Sequence, residues 1–229
     1  MTATQEQKKP NAFNAFLSKF LEKNRLLLII IFAAVLLLIV GYIVVSEQSA
    51  RILERSTLLS ERMQEAYIEW LSADESGKGG LETEILDLYG TILEKYPKRY
   101  AAMRARFIMG DFRFEKGEWA ESAAEYTALA DLFPESYLAV TSLLNAGAAA
   151  EELADFEKAA ALYRRVIDTY EDLYPDVPRA YFSLGRVLET LQKDDEAAGI
   201  YNACIDRFPD SSWTKLARDR IIYLAAMHQ

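Results

Sequence analysis

A tyrosine returns along this chain at intervals that leave few folds open: Tyr89, Tyr126, Tyr163 and Tyr201 stand 37, 37 and 38 residues apart. Tyr89, Tyr126 and Tyr201 are each followed eight residues later by a proline, at Pro97, Pro134 and Pro209. For Tyr163 the proline is delayed to Pro175, which reads as about one extra turn of helix. The last three tyrosines are also preceded, sixteen residues earlier, by Gly110, Gly147 and Gly185. A fixed period of this length marks units too small to close a core alone, which must stack on their neighbours.

One unit, 177–210, shows how. Pro178 suits the first turn of a helix, and Tyr181, Leu184, Gly185 and Leu188 follow at helical spacing. Beyond "QKDD", a second helix places Ala197, Tyr201, Cys204, Ile205 and Phe208 on one face, and Pro209 stops it. Glycine inside a helix costs about 1 kcal/mol against alanine, so its recurrence requires a compensating contact. The spacing predicts close approach of the second helix, with Ser122, Ala159 and Ala197 facing the glycines.

These units resemble tetratricopeptide repeats, whose pattern is Leu-Gly in the first helix, then Ala-x-x-x-Phe/Tyr and a terminal Pro in the second. The matching residues are Met109-Gly110, Ser122, Tyr126 and Pro134; Ala146-Gly147, Ala159 and Tyr163; and Leu184-Gly185, Ala197, Tyr201 and Pro209. The family's first-helix tryptophan is missing, and Tyr181 takes its place once. The resemblance implies an all-α fold with repeats at 103–136, 140–176 and 178–211, and a capping helix at 213–228. A degenerate repeat at 52–98 precedes them, with "DESGKGG" as an insertion in its turn.

The front of the chain is different material. Leu26 to Val45 is twenty residues without a charge, long enough to cross about 30 Å of hydrocarbon. A signal peptide is the competing reading, but its apolar core is shorter and "SEQSA" makes a poor cleavage site. Lys8, Lys9, Lys19, Lys23 and Arg25 before the span outnumber Arg51, Arg55 and Arg62 after it, which favours a cytoplasmic segment 1–25 and a repeat domain, 46–229, across the membrane. Phe13, Phe16, Leu17, Phe20 and Leu21 share a helical face, which either lies in the headgroup layer or extends the span. From Ser46 to Glu75 there is no Pro or Gly, and Ile52, Leu59, Met63, Ala66, Tyr67 and Trp70 recur at helical spacing, so one long helix is expected to run from the span into the first repeat.

Charge and composition exclude several functions. Setting aside the five basic and two acidic residues of 1–25 leaves 21 and 33 on residues 46–229, a net of −12, so nucleic acid is a poor partner. Runs such as "ADES" and "KDDE" read as solvated turns. His228 is the only histidine, which removes Ser-His-Asp, Cys-His and His-rich metal sites. Cys204, the only cysteine, sits on the packed face between Tyr201 and Phe208, and "SGKGG" lacks phosphate-loop spacing and reads as a loop. No cofactor, metal or catalytic residue is expected.

In tetratricopeptide domains the first helix of each repeat faces a bound peptide. The resemblance carries that role to Arg104, Phe107, Asp111 and Phe114; to Thr141, Leu144, Ala148 and Glu151; and to Arg179, Phe182, Arg186 and Glu189. Aromatic anchors with arginine suit a peptide segment, whereas Phe107, Phe114 and Phe182 would equally suit packing between repeats. Relatives that clamp a chaperone's C-terminal carboxylate need basic and amide residues where this chain has Phe107, Asp111, Asn145, Arg179 and Ser183, so that ligand is not expected. A basic tail, one span and acidic repeats resemble the YfgM-like ancillary subunits of the bacterial Sec translocon. That resemblance implies an inner-membrane protein whose periplasmic repeats meet emerging polypeptides or chaperones. An anchored scaffold for outer-membrane assembly, division or a flagellar motor is the other reading.

Overall fold

The structure, a computed structural model, describes residues 12–170 and 174–227, with side chains from residue 16 onward. The described residues form α-helices joined by short turns. By backbone contacts the chain divides into two units, Met1–Glu54 and Arg55–Gln229. The first holds α1 (Ala12–Lys23) and the start of α2 (Arg25–Ser72). The uncharged stretch 26–45 lies in one unbroken helix, and none of its side chains is buried. This helix is long and apolar enough to cross a membrane.

In the second unit α2 turns one stripe inward, burying Ser56, Ser60, Met63, Ala66 and Trp70 at steps of three and four residues. The unit continues with α3 (Glu75–Lys95), α4 (Tyr100–Glu115), α5 (Trp119–Leu132), α6 (Tyr137–Glu152), α7 (Phe156–Thr169), α8 (Val177–Thr190), α9 (Asp194–Arg207) and α10 (Ser212–Met227). From α3 onward each helix packs on the next, apart from α3 on α2, where side chains alone carry the contact. In addition α4 touches α6, α6 touches α8 and α8 touches α10, so the first helices of successive repeats lie side by side. Two cores result. One joins Met63, Trp70, Ile85, Ile92, Met109 and Phe112; the other runs through Tyr126, Leu143, Tyr163, Leu184, Tyr201 and Cys204. This is an all-helical tetratricopeptide-type array, as the spacing predicts.

Three expectations need correction. "DESGKGG" is not an inserted loop: Asp74 caps α3 by accepting from the Gly77 N–H at 3.0 Å, and residues 75–80 are helical despite three glycines, carried by the burial of Ile85 and Ile92 further along. "KDDE" likewise is more than a turn, because Asp194, Asp195 and Glu196 form the first turn of α9, where the helix dipole favours acids. The late Pro175 does not lengthen its helix: α7 has 14 residues, as α5 and α9 do, and the extra residues fall in the connection to α8. The expected capping helix is α10, described from Ser212 to Met227, and His228 lies outside the described residues.

Two local features shape the array. In the three full repeats the turn between the two helices holds one residue in the left-handed region, Gly117 (φ 73°), Ala154 (φ 55°) and Gln192 (φ 59°). Their N–H groups close on Phe114, Glu151 and Glu189 carbonyls, and the next N–H reaches back five residues in each case. Only the first turn uses glycine, the residue without a steric penalty there. Ala154→Gly should therefore raise stability by about 0.5–1 kcal/mol, read as a higher thermal midpoint of the full chain in detergent. The second feature is a register. Thirteen residues after Pro97 and Pro134 stand Gly110 and Gly147, whereas thirteen after Pro209 stands Ile222, 69 % exposed.

Candidate functional site

The recurring glycine and tyrosine are two halves of one contact. A Cβ built on Gly110 would lie 2.6 Å from Tyr126 Cε1, and one on Gly147 or Gly185 would lie closer still to Tyr163 or Tyr201. The partner that fills the glycine notch is thus the tyrosine ring. Ser122 adds a hydrogen bond to the Gly110 carbonyl at 2.8 Å, while Ala159 and Ala197 are fully buried.

The three notched rings, and Tyr89 without a glycine notch, each deliver a hydroxyl to a carboxylate. Tyr163 donates to Glu151 at 2.6 Å, Tyr201 to Glu189 at 2.5 Å, Tyr89 to Glu125 at 2.5 Å, and Tyr126 to Asp111. Burial and the adjacent carboxylate push all four hydroxyls well above the usual tyrosine range, so they remain donors. Three of these carboxylates also hold an arginine. Arg186 reaches Glu151 at 2.8 Å from α8, Arg106 reaches Glu125 at 2.6 Å, and Arg220 of α10 forms a two-pronged pair with Glu189. Burial works to raise Glu189, but the hydrogen bonds from Arg220 and Tyr201 outweigh it and hold the carboxyl below its ordinary value.

Asp111 differs. Burial raises its carboxyl above the ordinary value, the Tyr126 hydroxyl partly offsets this, and Glu115 reinforces it; no cation contributes. Among the described residues neither Asp111 nor Glu115 forms an ion pair. Both line a cleft of about 270 Å³ with Tyr67 of α2, Phe114 of α4, Tyr126 of α5, Asn145 and Ala148 of α6, and Arg179 of α8. A second cleft, of about 420 Å³, shares Tyr67 and Asp111 and adds Gln64, Arg104, Phe107 and Tyr137.

The groove residues expected from the repeats therefore divide. Arg104, Phe107, Asp111, Phe114, Ala148 and Arg179 line the two clefts. Arg104 is also tied to Gln64 of α2, and Phe107 meets Tyr126 edge-on at 5.7 Å. The others are engaged within the fold. Leu144 is fully buried and presents nothing to a partner. Thr141 donates to Asp176 at 3.2 Å, Arg186 and Glu151 hold each other, and Phe182 lies tilted against Tyr201 and Trp213 at 6.0 and 5.5 Å. Phe107 thus packs on the second helix of its own repeat, and Phe182 joins its repeat to α10. Tyr67 was not foreseen as a lining residue: it lies in the degenerate first repeat, where no motif marks the ligand-facing side, although its helical spacing was legible.

A family model described as tetratricopeptide repeat matches residues 144–212, from α6 to the start of α10. Residues 144–212 therefore carry tetratricopeptide repeats, modules that generally bind proteins or peptides and generally serve as scaffolds. No curated protein sequence matches the chain. Among solved structures, the crystal structure of BtubC (BKLC) from P. vanneervenii is similar at 16 % identity, covering 78 % of this chain and 91 % of that one, with a TM-score of 0.44.

Proposed function

We propose that this chain is a single-pass protein of a bacterial inner membrane whose periplasmic repeats bind polypeptide segments, acting as a translocon-associated accessory or chaperone-like factor. The observation that carries the binding role is the cleft where Asp111, Phe114, Ala148 and Arg179 meet Tyr67, with aromatic, charged and amide groups from successive repeats around one opening. The exposed uncharged stretch 26–45 and the basic excess before it support the anchor and its direction. Resemblance of the whole layout to the YfgM-like subunits supports the link to secretion.

The experiment is site-specific photocrosslinking from Phe107 and Phe114 in membranes, with secretion running or blocked. The reading expects adducts with many unfolded secreted chains and with the translocon, changing in amount when export stops. A single stoichiometric partner, indifferent to export, would replace it with the anchored-scaffold reading. No polypeptide adduct at either residue would defeat both.

A further inference from the structure

In three of the four tyrosine-carboxylate pairs an arginine completes the set, and the fourth has an opening in its place. Arg186 follows Gly185 by one residue and reaches back to Glu151; the residue that follows Gly147 by one is Ala148, which reaches nothing and instead lines the cleft beside Asp111. A methyl group thus stands where the next repeat supplies a guanidinium. The two carboxylates left over, Asp111 and Glu115, face an opening walled by the rings of Tyr67 and Phe114, and aromatic faces attract cations. Arg179 borders the same cleft without pairing with either acid, and Asn145 offers an amide. At about 270 Å³ the space falls below the usual range for small-molecule pockets, about 300–1,000 Å³, and suits one side chain from a longer ligand.

We infer that this cleft binds an arginine or lysine side chain of a polypeptide partner, whose cation occupies the place beside Asp111 that Arg186 occupies beside Glu151. Arg179 and Asn145 then donate to backbone carbonyls of the same segment. The net charge of −12 on residues 46–229 draws basic segments toward it. An adjacent cation opposes the burial and the Glu115 charge that raise the Asp111 carboxyl.

This inference rests on the peptide-binding reading, and its test separates the two. The probe is an end-blocked, fluorophore-labelled peptide, Gly-Ala-Leu-Arg-Leu-Ala-Gly, with versions carrying Leu or Glu in place of Arg, titrated against the full chain in lipid nanodiscs. The arginine peptide should bind about tenfold more tightly than the leucine peptide and more tightly still than the glutamate peptide, the scale of one charge-assisted hydrogen bond. Asp111→Asn, which changes charge without bulk, should erase the preference. Ala148→Arg should abolish binding by supplying the cation from within, and its thermal midpoint checks that it folds. Equal binding of the three peptides, no binding of any, or a preference that survives Asp111→Asn in folded protein would overturn the inference. If photocrosslinks from Phe114 to polypeptides persist in that case, the peptide-binding reading stands without it.

Discussion

Gly147→Val is expected to lower the stability of the repeat domain by about 3 kcal/mol, although the same kind of change elsewhere in the helices should raise it. The added methyls would fall on the Tyr163 ring, whose hydroxyl is held by Glu151, so the ring cannot swing away without losing that bond. Tyr163→Ala alone should cost about 3–5 kcal/mol by emptying the notch. Combined, the two should cost less than their sum by about 1–3 kcal/mol, because valine then occupies part of the vacated space. Gly199, in α9, has open space around it, and Gly199→Ala should stabilise by up to about 1 kcal/mol. Thermal or urea unfolding of the full chain in detergent reads all four. Additive losses for the double variant would show that the glycine notch and the ring are not one unit.

Phe112→Ala should remove about 3–5 kcal/mol from the other core. Its ring is 1 % exposed and meets Trp70 edge-on at 5.0 Å and Tyr67 at 6.5 Å, which ties α4 to α2. Since repeats contact mainly their neighbours, the loss should appear as early melting of α2 to α4 while α6 to α10 keep their midpoint. Hydrogen exchange resolved by peptide distinguishes this from one cooperative transition. Loosening Tyr67 would also disturb both clefts, so the variant should weaken ligand crosslinking at Phe107 and Phe114.

Much of the fold was legible because the period and the notch are written in residues that tolerate little exchange: a glycine, a tyrosine sixteen residues on, and a proline beyond. The pairing of that glycine with that tyrosine was not read, since spacing alone does not say which side chain fills a helix notch. The candidate site was legible by half. Repeat register located Asp111, Phe114, Ala148 and Arg179 around one opening, but not which neighbours were already committed. Whether Arg186 faces a ligand or Glu151 depends on a contact between residues 35 apart, on helices whose rotation no local pattern sets. The α3 start failed for a related reason: local glycine content argued for a loop, and the Asp74 cap with tertiary burial overrode it.

Ile222 carries a last implication. Standing in the register where the earlier helices leave a gap for an aromatic ring, it denies that gap to any incoming segment built like α5, α7 or α9. A grafted helix bearing that tyrosine would meet a branched side chain there, and Ile222→Gly is the edit with which to begin seating one.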